Sequence, residues 1–270
     1  RAGGMSLSET IAEGPILVTG GAGFIGSNLA DRLAGEGRRV RILDSLNRPG
    51  VESNLDWLTS RHGDLIEPVI ADIRDHAAVN QAAEGIAAAF HFAAQVAVTT
   101  SMVDPRADLD INILGTFNVL EAVRASNRHA PVIFASTNKV YGDLGTFEIE
   151  LTANGYAPED AALAANGVSE AQPLDFHTPY GCSKGAADQY VLDYARSYGM
   201  RAAVLRMSCI YGQRQMGTED QGWVAHFLIR ALEGETITLF GDGQQVRDIC
   251  DVSDTVSAYL AALRNIDSIN

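Results

Sequence analysis

The chain has 270 residues, 46% of them hydrophobic, enough to bury a core of one large domain or two intimate ones. A formal charge of -14 gives an acidic surface that repels phosphate backbones and anionic headgroups, which argues against nucleic acid and membrane partners. Three cysteines (Cys182, Cys209, Cys250) without paired or metal-ligand spacing point to reduced thiols in a cytoplasm, with no disulfide and no metal.

In chain order, Met5 follows Arg1-Ala2-Gly3-Gly4, so residues 1–13 read as a tag remnant and flexible N-terminus. Short β-rich runs then alternate with helical patterns. Strands are expected at 16–19, 39–43, 67–70 and 88–92, and helices at 26–36 and 77–83. A long helix over 107–126 leads into an apolar strand at 131–136, followed by a helix at 183–198 and a strand at 202–207. The alternation predicts an α/β chain, a Rossmann-type doubly wound parallel sheet over 14–206, with a smaller, more irregular region over 207–270. The 142–179 stretch is long for a connection and should lie over the active site. No apolar run approaches the ~20 residues that cross a bilayer.

Between the first strand and first helix, Gly20, Gly23 and Gly26 fall at Gly-x-x-Gly-x-x-Gly spacing. A dinucleotide diphosphate needs close backbone approach and free helix N-terminal amides, here those of Phe24, Ile25 and Gly26; a tight packing turn is the plainer alternative. Asp44 ends the second strand about ~20 residues on, where a carboxylate accepts hydrogen bonds from a ribose and repels a 2′-phosphate, favouring NAD over NADP. Asn47 and Arg48 follow it; the guanidinium is either a cofactor contact or a solvated loop charge. Farther on, Tyr180 and Lys184 lie four residues apart, on one face of a helix, where the ammonium is expected to favour the tyrosinate. Thr137, at the carboxyl end of its strand, either hydrogen-bonds a reacting oxygen or satisfies its own backbone.

The glycine spacing and the Tyr180-x-x-x-Lys184 pair resemble the extended short-chain dehydrogenase/reductase family of NAD-dependent epimerases and dehydratases. The resemblance extends to Asp72-Ile73 as an adenine-contacting pair, Phe92-Ala93-Ala94-Gln95 beneath the cofactor, and Asn112-x-x-Gly115-Thr116 in the central helix. Without it, Asp72 reads as a helix cap and Asn112 as a polar residue within a helix. Where the dehydratases of the family resemble Thr-Asp-Glu, this chain has Thr137-Asn138-Lys139. An amide and an ammonium cannot serve as that acid and base, so oxidation followed by re-reduction is left.

Segments such as 95–101, 136–143, 174–190, 220–224 and 245–248 resemble more closely the epimerases of the family that invert C2 of a CDP-hexose. That resemblance implies catalysis by Thr137, Tyr180 and Lys184 with bound NAD. It implies diphosphate binding by Arg247, otherwise a surface salt bridge, and sugar contacts from Thr99, Asn138, His177 and Gln221; His177 could equally be a solvated loop residue. It also implies a homodimer or homotetramer, and further strands and helices beyond Asn270 to complete the sugar-nucleotide region. A UDP-sugar 4-epimerase using the same residues, and a non-catalytic NAD-binding regulator, are the alternative readings.

Overall fold

In a computed structural model, which describes residues 10–127 and 129–269, β-strands and helices alternate as the sequence pattern requires. The first half runs β1 (Ile16–Thr19), α1 (Phe24–Gly35), β2 (Val40–Asp44), α2 (Val51–His62), β3 (Ile66–Ile70), α3 (His76–Ala82) and β4 (Ala88–His91). Then come α4 (Val98–Val103), α5 (Pro105–Leu109), a π-helical turn (Asp110–Leu114), α6 (Gly115–Asn127), β5 (Val132–Thr137) and a 3-10 turn (Asn138–Tyr141). The remainder comprises β6 (Ile149–Thr152), β7 (Gly155–Pro158), α7 (Ala161–Asn166), α8 (Thr178–Tyr198), β8 (Ala202–Met207), β9 (Cys209–Tyr211), α9 (Trp223–Glu233), β10 (Ile249–Asp251), α10 (Val252–Arg264) and α11 (Ile266–Ile269).

Six strands form one parallel sheet in the order β3-β2-β1-β4-β5-β8. This is the Rossmann order. The strand sequence reverses direction between β1 and β4, and the crevice beyond their carboxyl ends is where such sheets take ligands. β1, β4 and β5 are buried along their whole length because helices cover both faces, hence their unbroken apolar character. One face is packed by α1, α2 and α10, through Leu29, Leu33, Leu58, Val256 and Leu260. The other is packed by α3, α6 and α8, through Val79, Val119, Leu120, Ala187 and Val191.

Four expectations need correction. Thr10 and Ile11 are buried, and Arg201 donates to the Thr10 carbonyl, so residues 10 and 11 pack on the folded domain; residues 1–9 lie outside the described ones. The helix expected over 107–126 is interrupted: Asp104 caps α5 by accepting from Ala107 N–H, and the π turn follows. The long connection over 142–179 holds an antiparallel hairpin, β6 with β7, and α7. Lastly, α10 belongs to the core of the sheet domain, although it follows residue 206, because Val252, Val256, Tyr259 and Leu263 bury their side chains in the cluster shared with α1, and Tyr259 meets Phe90 of β4. What remains outside that core is β9 paired with β10, α9 and the largely exposed loops between them.

The switch point between β1 and β4 is held by a buried polar chain. The Thr116 hydroxyl donates to the Asn112 carbonyl at 2.6 Å, so toward His91 Nε2, 3.0 Å away, it can only accept. His91 therefore carries its proton on Nε2, and its Nδ1 accepts from the Thr19 hydroxyl at 2.6 Å. Thr19 in turn accepts the backbone N–H of Ala93 at 3.2 Å. Burial, reinforced by the charge of Lys184, pushes the His91 pKa down to about 3. Between pH 3 and the ordinary 6.5 the unfolded chain thus binds the proton that the folded chain refuses, and stability must fall as pH falls through that window. Urea unfolding between pH 4 and 7 will show this as a slope tending to about 1.4 kcal/mol per pH unit. His91→Asn, which cannot titrate there, will flatten it.

Candidate active site

The glycine-rich turn is shaped by backbone contact. A Cβ at Gly20, whose φ is 68°, would meet the backbone N of Ala93 at 2.7 Å, and one at Gly26 would strike the Gly20 carbonyl. Gly23 differs, since a Cβ there would meet only the Gly20 carbonyl, at 3.1 Å, on one side. No side chain caps the N-terminus of α1, so the amides of Phe24, Ile25 and Gly26 face the mouth of the crevice without an intrahelical or side-chain acceptor. A cradle with close-packed glycines, uncapped amides and a positive helix end fits a dinucleotide diphosphate. Asp44 closes the adenosine side, accepting from Ala22 N–H at 3.0 Å and Leu46 N–H at 2.9 Å. These bonds fix the turn while leaving the carboxylate acceptor sites for a ribose diol.

Asp72 holds Arg74 through two side-chain hydrogen bonds of 3.0 and 2.7 Å, and this pair lowers its pKa. It is not a helix cap; Asp75 caps α3. Ile73 is buried where a Cβ on Gly115 would collide with it at 2.7 Å, so that glycine lets α6 lie against the segment after β3. Ala94 and Gln95 follow Ala93 past the end of β4. Asn112, inside the π turn, receives the N–H of Gln95 at 2.9 Å and donates to the Gln95 carbonyl (3.1 Å), Asp108 (3.2 Å) and the Ser183 hydroxyl (2.9 Å). The side chain of Gln95 is used internally, donating to Asp108 and to the Ala97 carbonyl. Its contribution to the crevice is backbone.

Arg48 is half-buried. Its guanidinium donates to Gln221 Oε1 at 2.7 Å and to the Met216 carbonyl at 3.0 Å, and burial lowers its pKa. Gln221 donates in turn to the Val96 carbonyl at 3.4 Å. Asn28 and Asn54 donate to the carbonyls of Gln213 and Arg214. Residues 213–221 therefore form a strap, anchored from the adenosine side of the crevice to the segment after β4. Asn47 is exposed in the loop between β2 and α2.

Tyr180, Lys184 and Thr137 converge, as expected from their spacing. Pro179 occupies the first turn of α8. Thr178 before it is a non-glycine residue at φ 62°, its hydroxyl accepting Gly181 N–H; Ser101 accepts the N–H of Tyr180. Tyr180 is 9% exposed, and burial raises its pKa; the Thr137 hydroxyl acts the other way and the charge of Asp108 adds to the rise. Lys184, expected to lower this pKa, is not among the groups that move it. Lys184 is buried, donates to the Ala135 carbonyl at 2.6 Å and lies 4.2 Å from the Phe134 ring centre. Burial brings its pKa down to about 7, against the charges of Asp188 and Asp108 that favour the ammonium. Thr137 also caps the 3-10 turn, accepting Lys139 N–H at 3.2 Å, so it satisfies its own backbone.

Of the remaining candidates, Asn138 is exposed beside Thr137, whose hydroxyl is 3.4 Å from its Oδ1, and Thr99 is exposed on α4, which packs on α8. His177 precedes α8 and pairs with Asp175 at 2.9 Å; with Asp143 they form an exposed cluster of acidic groups. Arg247 lies exposed ahead of β10, in no ion pair among the described residues. The sequence reading missed Asp108, Asp188 and Arg206. The first two sit four residues before Asn112 and four after Lys184, a helical spacing that was available as a signal; Arg206 carried none.

Residues 16–270 match the model of the NAD dependent epimerase/dehydratase family. The chain is 45% identical to CDP-paratose 2-epimerase of Salmonella typhi over 261 residues, covering 94% of this chain and 76% of that protein. The UDP-glucose 4-epimerase of Thermus thermophilus, solved with NAD, superposes with a TM-score of 0.76 at 33% identity, over 93% of this chain and 74% of that one. A dTDP-glucose 4,6-dehydratase from Streptomyces venezuelae, also solved with NAD, gives 0.77 at 28%, over 93% and 72%. A parallel sheet in Rossmann order, a glycine cradle at its switch point and a buried Tyr-Lys pair agree with these likenesses, and the chain belongs to the NAD dependent epimerase/dehydratase family.

Proposed function

We propose that the chain is an NAD-dependent nucleotide-sugar epimerase that inverts C2 of a CDP-hexose. The observation that carries this reading is the meeting of Tyr180, Lys184 and Thr137 in a chain 45% identical to a CDP-paratose 2-epimerase. Asn138 and Lys139 follow Thr137 without a carboxylic acid to expel a hydroxyl, which disfavours a dehydratase.

Gly20, Gly23 and Gly26 with the amides of Phe24, Ile25 and Gly26 hold the diphosphate of NAD. Asp44, with the neighbouring Asn47, takes the adenosine ribose, Asp72 and Ile73 the adenine, and Ala93, Ala94 and Gln95 line the nicotinamide side from their backbone. Asn112 acts by fixing Gln95, and Arg48 by fixing the strap. When bound, NAD supplies a reversible acceptor for the hydrogen on the sugar carbon. Tyr180 removes the proton from the hydroxyl on that carbon and gives it back to the same oxygen after the sugar has turned within the pocket. Because burial raises the pKa of Tyr180, its ionisation requires positive charge close by. Lys184, one helical turn on from Tyr180, provides it in this reading, and Asp188 and Asp108 favour its ammonium form against burial. Thr137 orients the reacting oxygen. Arg247 takes the nucleotide diphosphate, and Thr99, Asn138, His177 and Gln221 are the sugar-pocket residues.

Two copies pair along α6 and α8, a dimer from which a tetramer can be built. The two helices pack together and carry exposed Phe117, Tyr190 and Tyr198, with Leu114 in the adjoining π turn. Among the described residues no helix is long and apolar enough to cross a membrane. A cytoplasmic enzyme with reduced thiols is consistent with Cys182, Cys209 and Cys250 being unpaired.

Tyr180→Phe is expected to lower turnover of a CDP-hexose by about 10²–10⁴-fold while NAD stays bound, measured by product NMR and by cofactor retention. Equal turnover would overturn the assignment. In deuterated water the wild-type product will carry no deuterium at the inverted carbon. That carbon will be C2 of a CDP-sugar; inversion at C4 of a UDP-sugar identifies the 4-epimerase instead.

A further inference from the structure

Thr137 sits on a short turn, and the hydrogen bonds on both sides of it lead to one buried ion pair. Asp188, fully buried and one helical turn beyond Lys184, accepts from the Ser136 hydroxyl at 2.7 Å. It also accepts two hydrogen bonds from Arg206 of β8, each 2.9 Å. The remaining arm of Arg206 donates to the Tyr141 hydroxyl at 2.8 Å, and its guanidinium lies 5.1 Å from the Tyr141 ring centre. Ser136 immediately precedes Thr137, and Tyr141 ends the 3-10 turn that Thr137 caps. The fork of a guanidinium on a carboxylate fixes orientation as well as distance, a property an ammonium lacks.

We propose that the Asp188–Arg206 pair is a positioning device for Thr137, gripping the turn at Ser136 and Tyr141 and registering it against the face of α8 that carries Tyr180 and Lys184. A pair serving stability alone would need no tether on either side of the catalytic turn. This one binds residues before and after it, from a helix and a strand. Since Thr137 favours the ionised form of Tyr180, loosening the turn weakens the base without touching substrate or cofactor. Asp108 and the burial of Tyr180 act on the same phenol, and neither is altered by changes at Ser136, Tyr141 or Arg206.

The inference rests on the epimerase reading for its kinetic test but has a readout free of it. Arg206→Lys, Tyr141→Phe and Ser136→Ala are made in the full chain with NAD bound, each alone and together with Thr137→Val. The last two leave the ion pair intact, so they stay informative if Arg206→Lys fails to fold. With a CDP-hexose, each single change is expected to lower kcat about 5–50-fold with KM and NAD retention near wild type. In the Thr137→Val background the same changes should cost less than about threefold, because the residue they position is gone. Losses that multiply with that of Thr137→Val, or unchanged kcat in folded variants, would overturn the proposal. Without any substrate, tyrosine labelled with ¹³C at Cζ lets NMR follow the titration of Tyr180. Thr137→Val should raise its midpoint and the three changes should move it part of the way. A midpoint unmoved by them, or by Thr137→Val, rejects the proposal. Failure of the wild-type protein to turn over a CDP-hexose would count against the substrate reading while this titration still decided the role of the pair.

Discussion

The geometry of the site depends on one buried side chain, that of Asn112. It bonds both backbone groups of Gln95, so the segment leaving β4 is fixed at the cofactor crevice, and it bonds Ser183, the residue before Lys184. The π turn makes this reach possible. A helical turn is widened there by one residue, and the Thr116 hydroxyl donates back to the Asn112 carbonyl. Through Thr116 the same linkage continues to His91, Thr19 and Ala93, so the two halves of the sheet are joined at their switch point by polar groups that all have partners. Such a chain specifies one arrangement, because slippage would leave buried donors and acceptors unpaired.

Charge is arranged around this frame with similar economy. Lys184 is removed from water, which favours the neutral amine, and two carboxylates buried nearby favour the ammonium. The balance, a pKa of about 7, leaves a group whose charge responds to what enters the crevice. His91, also buried and close to Lys184, stays neutral and adds no positive charge of its own. Asp188 has a second commitment, to Arg206, and removing either member of such a buried pair costs about 3–5 kcal/mol. Lys184 thus sits among groups that the fold cannot readily give up.

Much of this was legible in the sequence. Gly20, Gly23, Gly26 and Asp44 announced the cradle because backbone approach and a strand-end carboxylate are demands that few residues meet. Tyr180 and Lys184 announced themselves by helical spacing. What spacing cannot convey is which atom a long side chain reaches. Lys184 turned to the Ala135 carbonyl, Arg48 to Gln221 and Met216, and the side chain of Gln95 to Asp108. α2 was overlooked, although Val51, Leu55 and Leu58 form its buried stripe, because its polar residues mask the period. The helix over 107–126 was read as continuous because a π turn preserves the apolar pattern on either side. α10 was assigned by chain position, whereas Val256, Tyr259 and Leu260 return it to the first core.

Anchorage of the 213–221 strap has a thermodynamic corollary. Arg48, Gln221 and the Val96 carbonyl form a single relay between the adenosine end of the crevice and its opposite end, with no slack element between them. Whatever ligand perturbs that relay from one end alters occupancy free energy at the other by an equal amount in each direction. Affinities measured separately for the two halves of the crevice would then not sum, and their shortfall or excess is the coupling carried by three residues.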